Sequence, residues 1–189
     1  MKKKGGTFLK EKFLNPLLHS TDPVSEVSLG VAVGVFFGLT PTVGVQMYLV
    51  AMVWTIYKYI FKKHFNLPVG VAMVWISNPI TMVPLYYVFL LTGYWLLDTR
   101  NILSYEIFTE NLSKISQSQG SLQMIISGTR FLLIDLGWPM IVGSIFFAIP
   151  GSIISYFLSF KIVISHRKIK ARKSGLKYDD WRDKYENKS

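Results

Sequence analysis

The sequence predicts an all-α integral membrane protein, a compact helical bundle with a Gly-rich, short or re-entrant first helix and Pro/Asn-broken transmembrane helices. Half of the 189 residues are hydrophobic and 15% are aromatic. They concentrate in blocks at about residues 24–61, 67–97 and 131–160. A helical crossing of a bilayer needs about 20 apolar residues, so the first block can form a hairpin and each of the others one tilted or broken crossing.

Basic residues flank these blocks and set the predicted domain organisation. We expect a basic cytoplasmic N-terminal segment at 1–22, a membrane domain at 23–164 and a basic cytoplasmic tail at 165–189. Residues 98–130 contain only three basic side chains, so the positive-inside rule places them outside and both termini in the cytoplasm. The basic flanks predict contact with the anionic headgroups of membrane lipids, and their position beside apolar blocks argues against nucleic-acid binding.

The outer segment carries an amphipathic pattern at about residues 101–126. Apolar side chains recur there at helical spacings of three and four, at Tyr105, Phe108, Leu112 and Ile115. This pattern predicts a helix whose apolar face lies on the outer leaflet. Its function is then surface anchoring or, alternatively, covering a site in the membrane.

The first apolar helix has a clear start and is short. Asp22 can cap the free N–H groups, and Pro23 suits the first helical position. Residues 27–39 number only 13, which is nearer to the length of a re-entrant or buried segment than to that of a full crossing. We therefore expect a helix that begins at Pro23 and is re-entrant or tightly buried.

Three glycines recur every fourth residue along this helix, at Gly30, Gly34 and Gly38. Together they form a face without side chains, on which another helix can approach closely. The predicted function of this face is helix packing, and the alternative is that it lines a passage. Gly38 is the strongest candidate for the second function, because it adjoins a break in the helix.

Two polar breaks interrupt the apolar blocks at membrane depth. The first contains Thr40, Pro41, Gly44 and Gln46, and the second contains Asn78, Pro79, Thr81 and Pro84. Irregular backbone survives in hydrocarbon only where protein or a wet cavity covers it. The hydroxyl and amide groups can therefore either satisfy that backbone or bind a substrate headgroup, ion or phosphate. We expect the second break to extend over about one turn, from Asn78 to Pro84, and the alternative is a simple proline kink.

These two motifs resemble a known family. Residues 34–46, Gly-Val-Phe-Phe-Gly-Leu-Thr-Pro-Thr-Val-Gly-Val-Gln, and residues 75–87, Trp-Ile-Ser-Asn-Pro-Ile-Thr-Met-Val-Pro-Leu-Tyr-Tyr, are similar to the bacterial membrane family called domain of unknown function 2062. Its recurrent pattern matches Gly38, Pro41, Gly44 and Gln46, then Asn78, Pro79, Thr81, Pro84 and Tyr86. The resemblance implies a multi-pass protein of the bacterial cytoplasmic (inner) membrane and brings no established activity.

The third block contains further interruptions, at Gly137-Trp138-Pro139 and Pro150-Gly151. Residues 143–150 repeat the Gly-to-Pro spacing of residues 34–41 with an aromatic pair inside each, which is compatible with an internal repeat. Asp135 is the acidic residue of this block, and the neighbouring Trp138 indicates that it lies at the interface and is solvated.

No pattern of catalytic or metal-binding residues occurs in the sequence. Cysteine is absent, and His19, His64 and His166 lie in or beside basic flanks. Neither a zinc-protease motif, nor a hydrolase nucleophile motif, nor a Gly-rich phosphate loop is found. We therefore expect no enzyme activity, no cofactor and no metal.

Two functions remain open. In the first, the protein is a small transporter or a lipid translocase or lipid-binding protein, in which polar groups at the broken helices replace water around a headgroup. So few crossings hardly enclose a pathway, so this function predicts a homo-oligomer with the small-residue face at its interface. In the second, the protein is a non-catalytic membrane scaffold or assembly factor. The two differ in whether Gln46, Asn78 and Thr81 converge on a cavity or pair fully with backbone.

Overall fold

The computed structural model describes residues 15–42, 44–98, 104–116, 126 and 137–186. Every regular element in these ranges is a helix. The helices are α1 (Asn15–His19), α2 (Val24–Gly38), α3 (Gln46–Phe61), α4 (Leu67–Met73), α5 (Pro79–Leu96), α6 (Tyr105–Ser116), α7 (Gly137–Lys173) and α8 (Tyr178–Tyr185). A 3-10 turn at Val74–Ile76 follows α4. The predicted all-α class is therefore confirmed.

One helix, Trp138–Lys173 within α7, is long and apolar enough to cross a membrane, and only 17% of its most apolar 18-residue stretch is buried. The segments Leu67–Ile76 and Ile80–Leu96 meet the same criterion when they are joined across the break between them. The α2 helix is apolar but shorter. The finding of one such helix and one such joined pair applies to the described ranges alone.

Two compact units make up the chain, and each combines segments that are distant in sequence. Unit 1 consists of Met1–Gly34, Val50–Met73 and Ser152–Ser189, so far as the structure describes them, and unit 2 of Val35–Leu49 and Val74–Gly151. Both units therefore depend on contacts between segments far apart in the chain, which local sequence patterns do not reveal.

In unit 1, the glycine face of α2 packs against α4 and the residues just before it. A Cβ atom on Gly30 would lie 2.5 Å from the carbonyl oxygen of Asn66, and one on Gly34 would collide with the carbonyl of Gly70. Backbones approach this closely only where side chains are absent. The predicted packing function of Gly30 and Gly34 thus agrees with the structure. Gly30 and Gly34 therefore make their close contacts within the chain, and an interface between chains stays a prediction.

Asn66 holds the start of α4 in place. Its Oδ1 accepts a hydrogen bond from the backbone N–H of Val69 at 2.8 Å, while its Nδ2 donates to Asp22 Oδ2 at 2.6 Å and to Ser20 Oγ at 3.0 Å. The Asp22 carboxylate therefore contacts Asn66 instead of capping α2, which begins at Val24, one residue later than predicted. Asparagine suits this position because the oxygen of its short amide can cap a helix while the nitrogen donates to a neighbouring segment.

Unit 2 has its own core, where α5, α6 and the start of α7 meet. Its fully buried side chains are Tyr86, Phe89, Leu90, Phe108 and Met140. A second glycine contact lies beside them, because Cβ atoms on Gly93 and Gly143 would collide with the backbones of Pro139 and Phe89 respectively. Close packing of these aromatic and aliphatic side chains stabilises the unit through many dispersion contacts.

The amphipathic face of α6 packs against protein within unit 2. The ring centroid of Tyr87 lies 4.9 Å from that of Tyr105 and 5.5 Å from that of Phe108, and Phe108 is fully buried. Protein thus covers Phe108, whereas Tyr105 is 44% exposed, and contact of this face with the outer leaflet stays a prediction. The side chains of Leu112 and Ile115, and most of residues 117–136 with Asp135, lie outside the described residues.

Two prolines predicted to interrupt helices lie inside continuous ones. Pro84 is within α5 and Pro150 within α7. The predicted extension of the second break to Pro84 and the predicted interruption at Pro150 are therefore wrong. Proline removes one backbone hydrogen bond, and a helix held by tertiary packing can continue past that loss. The proposed repeat differs at the same point, since α2 ends at Gly38 whereas α7 continues through Pro150.

Candidate functional site

The first break is a compact turn between α2 and α3. The helix ends at Gly38, and Thr40 Oγ1 donates back to the carbonyl of Phe37 at 2.8 Å. Gly44 has a φ of 81°, in the left-handed region that side chains other than glycine rarely adopt. The next helix begins at Gln46. The predicted sharp turn at this position is confirmed.

Gln46 joins this turn to the second break. Its Nε2 donates to the carbonyl oxygen of Thr40 at 3.1 Å and to the hydroxyl of Tyr86 at 3.2 Å, and its Oε1 accepts from Ser77 Oγ at 3.1 Å. Both amide hydrogens and one acceptor position are therefore used. The side chain is buried, so these bonds satisfy a polar group that would otherwise be costly to bury.

Tyr86 completes the connection from α5. Its ring is 1% exposed and stacks on Phe89, with centroids 5.9 Å apart. Its hydroxyl accepts from Gln46 and lies 3.4 Å from the carbonyl of Thr40, to which it donates. The phenol thus places its apolar ring in the core and its polar end on the turn, as buried tyrosines usually do.

The second break is a capped helix start. Asn78 Oδ1 accepts hydrogen bonds from the backbone N–H groups of Ile80 at 2.9 Å and Thr81 at 3.2 Å, and Thr81 Oγ1 accepts from the N–H of Asn78 at 3.0 Å. This reciprocal arrangement is a capping box, with Pro79 in the first turn where its missing N–H is harmless. Thr81 Oγ1 also donates to the carbonyl of Ile76 at 2.6 Å.

A cavity of about 250 Å³ adjoins both breaks. It is lined by Gly44, Gln46, Met47, Val74, Trp75, Ser77 and Asn78. The polar groups on its wall are uncharged. The Asn78 Nδ2 group has two hydrogens, and the one contact it makes with a described residue is to the Trp75 carbonyl at 3.4 Å. Hydrogen-bonding capacity is therefore left on this wall.

The predicted site residues separate into groups in the structure. Thr40, Gln46 and Tyr86 are joined by hydrogen bonds, and Gln46 and Asn78 share the cavity. Thr81 and Pro84 do not line it, and Gly30 and Gly34 belong to the helix contact of unit 1. Gln46, Asn78 and Thr81 thus pair mainly within the protein, and two of the three also face a cavity.

Sequence reasoning missed three polar residues with clear structural functions. Ser77 bonds to Gln46, Asn66 caps α4, and Arg167 is almost fully buried. The signal for Asn66 was available, because Asn-Leu-Pro at residues 66–68 resembles the Asn-Pro helix start at residue 78. Arg167 gave no signal of its own, since it lies in a run of basic residues.

Arg167 forms a second polar cluster, in unit 1. One terminal nitrogen donates to the carbonyl oxygens of Ser20 at 3.0 Å and Asp22 at 2.7 Å, and the other forms an ion pair with Glu186. These contacts connect the loop before α2, the end of α7 and the end of α8. A charge this well buried needs such partners to offset the loss of hydration.

These features define an all-helical chain with two polar breaks and, in the described ranges, one helix long and apolar enough to cross a membrane. The chain belongs to the family described as uncharacterized protein conserved in bacteria (DUF2062), whose model matches residues 7–172. Comparison with curated proteins and with solved structures finds no match. The resemblance noted in the two motifs is therefore confirmed.

Proposed function

We propose that this protein is a multi-pass protein of the bacterial cytoplasmic membrane, and that it binds lipid at the broken-helix motif as a small lipid translocase would. The observation that carries the proposal is the 250 Å³ cavity walled by Gln46, Ser77 and Asn78. Its volume suits the glycerol or ester region of a lipid rather than a whole molecule. Uncharged amides and hydroxyls bind such groups without the large desolvation penalty of buried charges.

Exposed apolar surface supports a membrane location. The core helix of a soluble protein is mostly buried, whereas 17% of the most apolar stretch of α7 is buried. Its outward side chains include Ile149, Ile153, Ile154, Phe157 and Leu158. Apolar patches this large need a cover in solution, and lipid provides one. The α2 helix has 15 residues and is about 22 Å long, less than the roughly 30 Å of a bilayer core, which favours a re-entrant helix.

A second function, a non-catalytic scaffold, is favoured by a different observation. The Gln46 side chain uses both of its amide hydrogens within the protein, and the Asn78 carbonyl caps a helix. In this function the motif stabilises the turn and the protein contacts its partners elsewhere. The two proposals therefore differ in whether the cavity is occupied.

Filling the cavity tests the lipid-binding proposal. Met47 lines it and is 40% exposed, so Met47→Trp adds bulk without removing a buried contact. Met52 is similarly exposed on the same helix and does not line the cavity, so Met52→Trp is the matched control. Native mass spectrometry of the purified protein then reports retained lipid and oligomeric state together.

The expected result is lipid on the wild type and on Met52→Trp, and its loss from folded Met47→Trp. A wild type without retained lipid, or equal retention by both variants, overturns lipid binding at this cavity and favours the scaffold. A homo-oligomer is expected for the translocase, with an interface away from Gly30 and Gly34, since α4 covers that face.

A further inference from the structure

We propose that unit 1 contains a separate binding site for a phosphate group, of which an anionic phospholipid headgroup is the expected source. The site is a cavity of about 620 Å³ lined by Ser25, Glu26, Leu29, Tyr57, Lys62, Lys63, His64 and Tyr156. Its volume is within the usual range for pockets that hold small molecules and headgroups. None of these residues belongs to the broken-helix motif, so this inference does not rest on the site of the proposed function.

The charge in this cavity is positive on balance. Glu26 is its acidic side chain, and Glu26 Oε2 lies 3.2 Å from His64 Nε2. Neither Lys62 nor Lys63 forms an ion pair with an acidic residue in the part of the chain that the structure describes. Two lysine ammonium groups are therefore available to an anion, and lysine binds phosphate well as a compact charge.

Hydrogen-bond donors accompany the lysines. Tyr57 and Tyr156 both line the cavity, and neither hydroxyl forms a hydrogen bond with another group among the described residues. The motif cavity of unit 2 differs, because Gln46 there uses both amide hydrogens inside the protein. Phosphate oxygens accept several hydrogen bonds at once, so cations and phenol hydroxyls together suit this group.

The backbone at Lys62 also points to a site. Lys62 follows directly on α3 and has a φ of 52°, in the left-handed region that glycine usually occupies at a helix end. Lysine is strained there, and such strain persists where the surrounding structure imposes it, often at binding sites. The left-handed residue turns the chain so that Lys62, Lys63 and His64 all line one cavity.

A lipid source is favoured by the surface beside the cavity. The last turn of α3 exposes Tyr59, Ile60 and Phe61, and α7 exposes Phe157 next to Tyr156. Bare apolar side chains next to lysines are typical of the boundary between acyl chains and headgroups. A soluble phosphate compound would satisfy the same cations but leave this apolar surface uncovered.

Titration of the full chain in detergent micelles tests the site with three probes: short-chain phosphatidylglycerol, short-chain phosphatidylcholine and glycerol 3-phosphate. We expect phosphatidylglycerol to bind most tightly. Lys62→Gln and Lys63→Gln should each raise its Kd at least about tenfold, since each removes a charge-assisted contact. Lys58→Gln, the same change one turn earlier on α3 and outside the cavity, should alter the Kd less than twofold.

Lys62→Gly separates binding from folding. Glycine relieves the left-handed strain, so the melting temperature should rise while phosphatidylglycerol binding weakens as in Lys62→Gln.

Wild-type affinity in the Lys62 and Lys63 variants overturns the site, and so does an equal loss in Lys58→Gln, which indicates diffuse charge attraction. If glycerol 3-phosphate binds as tightly as phosphatidylglycerol, the phosphate site is supported and the lipid source is overturned. Met47→Trp should leave this binding unchanged, so failure here is distinct from failure at the motif cavity.

Discussion

Arg167 and Glu186 form a buried ion pair between the end of α7 and the residue that follows α8. The Arg167 side chain is 2% exposed and that of Glu186 is 11% exposed. The same guanidinium donates to two backbone carbonyls near the start of α2. Glu186 lies beyond residues 7–172, the part of the chain that matches the family. Within unit 1, the same Arg167 side chain therefore holds both the residue that follows α8 and the loop before α2.

Glu186→Ala should lower the free energy of unfolding by about 3 kcal/mol, because it leaves the Arg167 charge buried with neutral partners alone. Chemical denaturation in detergent and limited proteolysis of the tail measure this loss. Asp183→Ala is the control, since Asp183 pairs with Arg182 on the exposed surface of α8. Its free energy of unfolding should be close to that of the wild type. Equal stability of the two variants would contradict the proposed importance of the buried pair.

Tyr86→Phe should lower the free energy of unfolding by about 1–2 kcal/mol. The change keeps the ring in the core and removes the hydroxyl that accepts from Gln46, so one amide hydrogen is left buried without its partner. Tyr48→Phe makes the same change at a position 69% exposed and should have little effect. A Tyr86→Phe protein as stable as Tyr48→Phe would show that the Gln46 amide finds another partner.

Asn78→Ala should lower the free energy of unfolding by about 1–2 kcal/mol, the usual loss for a helix cap. Asn78→Asp should retain most of the stability, because a carboxylate oxygen still accepts from the N–H groups of Ile80 and Thr81 at the positive end of α5. Circular dichroism and thermal unfolding compare the two variants. If both lost stability equally, the amide Nδ2 contact with Trp75, and not the cap, would be the important interaction.

Gly143 and Gly151, both on α7, should respond differently to substitution by alanine. A Cβ atom on Gly143 would collide with the backbone of Phe89, whereas one on Gly151 would meet the flexible end of the Leu39 side chain at 2.8 Å. Gly143→Ala should therefore destabilise by about 2–3 kcal/mol. Gly151→Ala should be neutral or stabilise by up to about 1 kcal/mol through helix propensity. Thermal unfolding of the pair is the measurement, and similar losses in both would contradict the close contact at Gly143.

The positions of the two breaks could be predicted from the sequence because proline, glycine and asparagine act on the backbone next to them. The first turn needed a left-handed residue at Gly44, and the second helix start needed a cap at Asn78. Pro84 and Pro150 could not be judged in this way. Whether a helix continues past a proline depends on the packing of its neighbours, which no local pattern contains.

Partners distant in sequence were beyond prediction for the same reason. A face of small residues predicts a close helix contact but not which helix fills it, so Gly30 and Gly34 were assigned to helix packing without α4 being identified as the partner. Gln46 was singled out as polar, whereas its partner Tyr86, 40 positions further on, was known only from the family pattern. Arg167 looked like any other cation of the tail.

The contact of Arg167 with Ser20 sets an order of events during synthesis. These residues are 147 positions apart. The loop before α2, which contains Ser20, therefore leaves the ribosome long before Arg167 has been synthesised. N-terminal segments of a growing chain generally begin to fold first. The carbonyls of Ser20 and Asp22 must therefore stay hydrated, or with temporary partners, until α7 has been made. The loop before α2 thus reaches its final hydrogen bonding only after nearly the whole chain has been made, and a stalled ribosome would hold an incomplete unit 1.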